Sequence, residues 1–266
     1  MEGSEGERDP IRVERDGDVA VVILDDPPLN LFTERTFARL VEARDEVAAS
    51  DARAMVFRAE GKVFTAGVDV GRVFAGVSGS ADGTKLAASG VRDLQAFESL
   101  EIPTLALVHG LCLTAGLEAS LGCDIIWAAE GSSFGLVERV VGLTPFGGGV
   151  QRMTERAGPA RAREFVMTGQ PYPAETMLEW GVVNRVVGKD ELLEKGMEFA
   201  RALAAGPTIA HGATKRLVRA FLDDGIAAAD DATAEIAGPL FDTEDLKGAV
   251  ESFLRDGPGK ASYEGR

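Results

Sequence analysis

Six short β-rich runs punctuate the first 187 residues: Ile11 to Glu14, Val19 to Leu24, Ala54 to Arg58, Thr104 to His109, Asp124 to Ala128 and Val182 to Val187. From the second run onward, segments with helical spacing lie between them. Strands that alternate with helices and then give way to an all-helical end specify an α/β domain with a helical C-terminal region. Gly17-Asp18 between the first two runs reads as a hairpin turn. Asp26-Pro27-Pro28-Leu29-Asn30 breaks the second strand. Thr33 then suits the N-cap of a helix that places Phe37, Leu40, Val41 and Val47 on one side. Residues 77 to 84, rich in Gly and Ser, read as a surface loop, with an amphipathic helix from Lys85 to Leu100. Later helices are expected at 160 to 167, 174 to 180, 191 to 204 and 208 to 222, and Leu246, Val250 and Phe253 share a helical face near the end.

The chain has 266 residues, 45% of them apolar, enough to bury one sizeable core. A net charge of −15 argues against nucleic acid as a partner, because phosphate binding needs clustered Lys and Arg. Cys112 and Cys123 both sit in apolar context and read as core thiols in a reducing compartment, which makes the expected location cytoplasmic. Two histidines, His109 and His211, are too few for a zinc site, so no metal is expected. The first ten residues are polar and acidic, without leader character, and read as a disordered tail. No apolar run approaches the roughly 18 residues of a membrane span, so no membrane partner is expected.

Two loops of small residues follow strands: Glu60 to Val70, and the run from Gly110 that leads into Thr114-Ala115-Gly116. Small side chains there allow close approach of a ligand, and the first turn of a following helix offers unpaired N–H groups. Nearby stand two glutamates, Glu118 and Glu138, in apolar or glycine-rich surroundings. An ionised carboxylate in such a place must be paired, shifted in pKa, or put to use. Stabilising an enolate requires two N–H donors on one carbonyl oxygen, and exchanging protons at the adjacent carbons requires carboxyl groups across from it. These residue types supply both.

Competing motifs fail. Gly61-Lys62 is followed by Val63 and Gly259-Lys260 by Ala261, so neither has the hydroxyl of a phosphate-binding P-loop, and no G-x-G-x-x-G follows the first strand. Gly131-Ser132-Ser133-Phe134-Gly135 has the spacing of a nucleophile elbow, but the next residues are too β-branched and too soon broken to be the helix an elbow needs.

The segments GKVFTAGVDV at 61 to 70, HGLCLTAGLEASLGCDI at 109 to 125, FGLVERVVGLTPFGGGVQR at 134 to 152 and PAETMLEWGVVNRVV at 173 to 187 resemble the crotonase, or enoyl-CoA hydratase/isomerase, family, from about Ile11 to Tyr263. The resemblance implies an α/β crotonase-like spiral of ββα units over 11 to 200, and a helical oligomerisation region over 201 to 266 that makes homotrimers or hexamers. It implies an acyl-CoA substrate, with coenzyme A as part of that substrate and no separate cofactor. It places an oxyanion hole at the backbone N–H groups of Val68 and Ala115, the water-activating glutamate at Glu118 and the α-carbon proton exchanger at Glu138. Leu29, Ala66, Asp69, Phe146, Lys260 and Tyr263 fall at substrate-binding positions, and Lys62 and Arg72 are further candidates for the phosphates. Both glutamates together favour addition of water to a 2-enoyl-CoA. Double-bond isomerisation or another acyl-CoA reaction of the family, and a non-catalytic CoA-binding scaffold, are the alternatives.

Overall fold

All six residues of strand Val19–Leu24 are buried, which a sheet permits only where both of its faces are covered. In the computed structural model, which describes residues 9–266, Ala20, Val22 and Leu24 enter one apolar core while Val19, Val21 and Ile23 enter a second. The sheet between these cores has six strands, ordered Ile11–Asp16, Val19–Leu24, Ala54–Ala59, Thr104–Val108, Ile125–Ala129 and Arg185–Val187. The first pair is an antiparallel hairpin turned at Gly17, and every other neighbour is parallel. This is the α/β fold expected from the alternation of runs. Of the tail expected over residues 1 to 10, residues 1 to 8 lie outside the described residues.

One face is covered by helix Glu34–Ala48, which buries Leu40, Ala43 and Val47. Thr33 caps it as expected, and Thr36 completes a reciprocal capping box. The other face is covered by helix Leu192–Ala204 through Leu192, Met197, Ala200 and Ala204. Trp127 stacks on Phe199 of that helix at 4.8 Å, and the Arg185 guanidinium lies 4.6 Å over the same indole. This helix runs across the division drawn at 200/201 from sequence, and its last buried residue is Ala204.

A second, three-stranded sheet pairs Leu111–Leu113 with Ser133–Gly135 in parallel and Ser133–Gly135 with Tyr172–Pro173 antiparallel. Gly110 is the corner at which the chain leaves the large sheet for the small one. It adopts φ +61°, and a Cβ there would stand 2.6 Å from the Lys62 carbonyl oxygen, so only glycine fits. Ser133 lies within a strand of this sheet, not on an elbow entering a helix.

Three expectations need correction. Residues 79 to 84 are not loop: helix Gly79–Leu94 begins there, with Asp82 accepting from the N–H of Ser78, and it ends at Leu94 with a 3-10 turn at Ala96–Ser99 where the helix was expected to reach Leu100. Gly and Ser propensities are weak determinants beside the packing of Gly90 and Leu94 against the body of the protein. The last strand is shorter than expected, Arg185–Val187, because Val182 and Val183 turn back to bond the carbonyl of Met177. The helix expected at 208 to 222 extends over Thr208–Ala237 with a break at Gly225, which has φ +82°.

Gly110→Ala should destabilise the fold by about 2 kcal/mol or more, from the left-handed backbone and the carbonyl contact together. A urea midpoint within error of wild type would contradict the steric reading of this corner.

Candidate functional site

The first loop is organised from beneath by Asn30, which is 2% exposed and has φ +52°. Its Nδ2 donates to the carbonyls of Glu60, Val63 and Phe64, and its Oδ1 accepts from the N–H of Asp26. Thr65 adds a 2.6 Å bond to the Asn30 carbonyl and accepts from the N–H of Gly67. The second loop is fixed to the first by a short parallel bridge: Thr65 N–H donates to the Leu111 carbonyl and Leu113 N–H to the Thr65 carbonyl. Two glycines let the loops meet. A Cβ on Gly116 would overlap Thr65 Cγ2, and one on Gly67 would stand 2.6 Å from Thr114 Oγ1.

That contact leaves two backbone donors without acceptors. Among the described residues the N–H of Val68 bonds nothing, and Ala115, first residue of helix Ala115–Leu121, likewise donates to nothing although the residue is wholly buried. A buried N–H is rarely left unpaired, so the one of Ala115, at a loop junction that also leaves the N–H of half-buried Val68 without a partner, marks a place for a ligand acceptor. Thr114 precedes Ala115 at φ 46° and ψ −119°, a conformation costing a non-glycine residue about 1–3 kcal/mol. Its hydroxyl is buried without a partner among the described residues.

Glu118 lies one turn into this helix and is 4% exposed. Its Oε1 accepts from the N–H groups of Gly147 and Gly149 at 2.8 and 2.9 Å. Those glycines can come so near because they lack side chains: a Cβ at Gly147 would stand 2.7 Å from Glu118 Oε2. Burial pushes the carboxyl up to about 7 against the opposing pull of the two N–H groups and of Arg152. The Arg152 charge is already committed, since its guanidinium forks onto Glu98 at 2.7 and 2.5 Å.

Glu138 opens the 3-10 turn Glu138–Val141, directly beyond strand Ser133–Gly135. That strand pairs with Leu111–Leu113, and Thr114 N–H donates to the Gly135 carbonyl at 2.8 Å, so the start of the Glu118 helix and the start of the Glu138 turn lie side by side. Burial first, and the charge of Glu118 second, push Glu138 up to about 8. Its Oε2 is buried and has no partner among the described residues. Two neighbouring carboxyls, both raised to neutrality or just above it, can hold one proton between them, one acting as acid and the other as base.

The remaining candidates divide into two groups. Leu29 and Ala66 are joined by a 2.9 Å bond from Ala66 N–H to the Leu29 carbonyl, at the outer side of the first loop. Asp69 caps the short helix Val70–Val73 and pairs with Arg72 at 3.5 Å. Phe146 immediately precedes Gly147 and lies against Gly90, with the Phe74 ring 6.4 Å away. Lys62 is exposed near the same edge. Lys260 and Tyr263 are not brought to the glutamates. Lys260 is exposed, and Tyr263 lines a separate apolar cavity of about 390 Å³ with Leu240, Phe253 and Leu254. The Tyr263 carbonyl is held there by Arg53 at 2.9 Å.

Sequence reasoning missed Asn30, Gly147 and Gly149. Asn30 carried a signal, being a residue tolerant of positive φ placed directly after a Pro-Pro break. The run Gly147-Gly148-Gly149 also signalled close backbone approach, but nothing in the sequence identified the group that approaches.

A family model described as enoyl-CoA hydratase/isomerase matches residues 14–265. The chain is 34% identical over 215 residues to carnitinyl-CoA dehydratase of Salmonella typhimurium, covering 79% of this chain and 80% of the relative. Among solved structures it resembles an enoyl-CoA hydratase subunit I of Geobacillus kaustophilus, with TM-score 0.89, 29% identity and coverage of 97% and 98% of the two chains. The enoyl-CoA hydratase of Bacillus anthracis shares the fold at TM-score 0.88 and 24% identity, over 97% of this chain and all of that one.

Raised carboxyl pKa values carry a stability consequence with a fixed sign. The stability contributed by neutral Glu118 and Glu138 is fully present below about 4.5, the ordinary value, and is lost as pH rises through about 7 and about 8. Glu118→Gln should therefore gain stability relative to wild type as pH goes from 5 to 8. Urea midpoints of the two proteins at both pH values measure this, and a pH-independent difference would contradict it.

Proposed function

The chain belongs to the enoyl-CoA hydratase/isomerase family, and from that premise we propose that it adds water reversibly across the double bond of a 2-enoyl-CoA to give the 3-hydroxyacyl-CoA. The observation that carries this reading is the pair of neighbouring carboxyls, Glu118 buried in its glycine cradle and Glu138 with a buried unpartnered oxygen, beside two unpaired N–H groups. Hydration needs both protonation states at once. Glu118, whose Oε1 accepts from the Gly147 and Gly149 N–H groups that favour its ionised form, acts as base and takes a proton from water as the hydroxyl adds to C3 of the enoyl group. The displaced electron pair moves through the conjugated system onto the thioester oxygen, which the N–H groups of Val68 and Ala115 receive. Glu138, pushed up by burial and then by the charge of Glu118, acts as acid and delivers its proton to C2. Return of one proton between the acids and bulk water resets the site.

Carnitinyl-CoA dehydratase, by its name, runs water elimination on an acyl-CoA, which is the same bond change in reverse. Isomerisation needs only one proton-exchanging acid at C2. The cradle of Gly147 and Gly149 around the second acid therefore supports hydration over isomerisation. Leu29, Ala66 and Asp69 along the edge of the first loop, with Lys62 and Arg72, supply the surface on which the coenzyme would lie. Phe221, Ile226, Phe241, Phe253 and Leu254 stay exposed along the C-terminal helices, which supports assembly of copies into trimers or hexamers through this region.

Glu138→Gln should lower turnover of crotonyl-CoA about 10²- to 10⁴-fold with little change in binding, the scale for losing a general acid. Glu118→Gln should lower hydration similarly and leave proton exchange at C2 of the saturated thioester measurable. Loss of the conjugated thioester absorbance measures the first and deuterium uptake the second. Undiminished hydration by Glu138→Gln would reject the assignment.

A further inference from the structure

Gln95 follows helix Gly79–Leu94 and is 7% exposed, a deeply buried position for an amide side chain. Its Nε2 donates to two carbonyls: to that of Glu118 at 3.0 Å, and to that of Gly147 by a still shorter bond. The first carbonyl belongs to the acid itself, and the second to the residue whose N–H holds the acid's carboxylate. One amide group thus closes a ring that runs from the Glu118 backbone through Gln95 to Gly147 and back through the Gly147 N–H to Glu118 Oε1. The ring has one workable orientation. With the amide reversed, its oxygen would face two carbonyl oxygens.

The surroundings are shaped to admit this side chain. A Cβ on Gly148 would stand 3.0 Å from Gln95 Nε2, and one on Gly122 would stand 2.8 Å from Oε1. Oε1 is buried and accepts from nothing among the described residues. A buried amide that leaves one of its two ends unsatisfied is retained against a desolvation cost, so the bonds at its other end must be worth keeping.

We propose that Gln95 is the positioning residue that holds the Gly147–Gly149 donor loop against the Glu118 carboxylate. Gln95 touches no substrate atom. It acts through the loop: with Nε2 bonded, the Gly147 and Gly149 N–H groups stay aimed at Oε1 and favour the ionised acid, and without it the loop is free to retreat. An acid without its donors becomes harder to ionise, because burial alone remains. The inference rests on the proposed reaction only where Glu118 is said to act as base, since the ring itself is a matter of geometry.

The test is Gln95→Leu in the full chain, with the Glu118 carboxyl followed by ¹³C NMR of glutamate-labelled protein and assigned by its absence in Glu118→Gln. The midpoint of the Glu118 titration should rise by about one pH unit, the scale for losing a hydrogen bond to an ionised group. For crotonyl-CoA hydration kcat should fall about tenfold near neutrality, the loss should shrink as pH is raised, and KM should change little. In the Glu118→Gln background Gln95→Leu should cost nothing further, whereas a merely structural role would add its loss in full. An unchanged midpoint in a folded variant overturns the proposal, as does additivity. Gln95→Glu, which keeps the size but at best donates one hydrogen, should raise the midpoint too; failure of both variants to fold would make Gln95 a structural residue and equally overturn it. The titration uses no substrate. A wild type without hydratase activity would therefore sink the proposed reaction and leave the NMR midpoint to decide the role of Gln95 alone.

Discussion

Everything distinctive about this molecule follows from where one negative charge is kept. Moving a carboxylate out of water costs several kcal/mol, and proteins usually meet that cost with a cation or by leaving the group neutral. Among the described residues the only direct partners of the Glu118 carboxylate are two backbone N–H groups, and Arg152, whose charge acts on it, is already engaged by Glu98. The compensation is partial by construction. A full ion pair would have driven the acid well below neutrality, and bare burial would have left it permanently protonated. Two dipoles hold it between these limits, where both of its forms are accessible.

The geometry needed for this explains features that otherwise look expensive. Backbone can approach a carboxylate that closely only where side chains are missing, hence glycine at 147 and 149. The two sheets meet at Gly110 so that the chain can turn from the large sheet directly into the short strand Leu111–Leu113 that leads to Thr114. Thr114 then accepts a strained backbone directly before Ala115, whose N–H opens the helix unpaired among the described residues. The strain is held by the bridge through Thr65, whose hydroxyl and peptide bind Asn30, Gly67, Leu111 and Leu113 at once.

The layers of the fold were legible because their signal is local. Val19 to Leu24 reads as a strand buried on both faces from its own six residues, and Thr33 reads as a cap from its place before an apolar periodicity. Helix Gly79–Leu94 was not legible at its start, since Gly-Ser composition argues for a loop and only contacts distant in sequence, such as Gly90 against Phe146, argue otherwise. The two acids stood out because carboxylates are rare among such neighbours. Their cradle did not, because hydrogen bonds from Gly147 and Gly149 span about thirty residues and involve backbone atoms that every residue possesses. Sequence shows which side chains are unusual. It is nearly silent about which peptide groups have been left unpaired.

The same distinction governs the C-terminal helices. Arg219 on helix Thr208–Ala237 reaches Glu98 at 3.1 Å, so the carboxylate that engages Arg152 is shared with a helix that has only Gly212 and Ala213 buried along its length. Burial pushes Glu98 up, but the two guanidiniums outweigh it and lower its pKa. Were Arg219 withdrawn, Arg152 would keep its fork to Glu98 and the field at Glu118 would change little, since a half-exposed partner contributes weakly through solvent. The acid's protonation is thus set inside the α/β body, by its burial, the Gly147 and Gly149 N–H groups and Arg152, and the outer helices are left free to meet whatever covers their apolar faces.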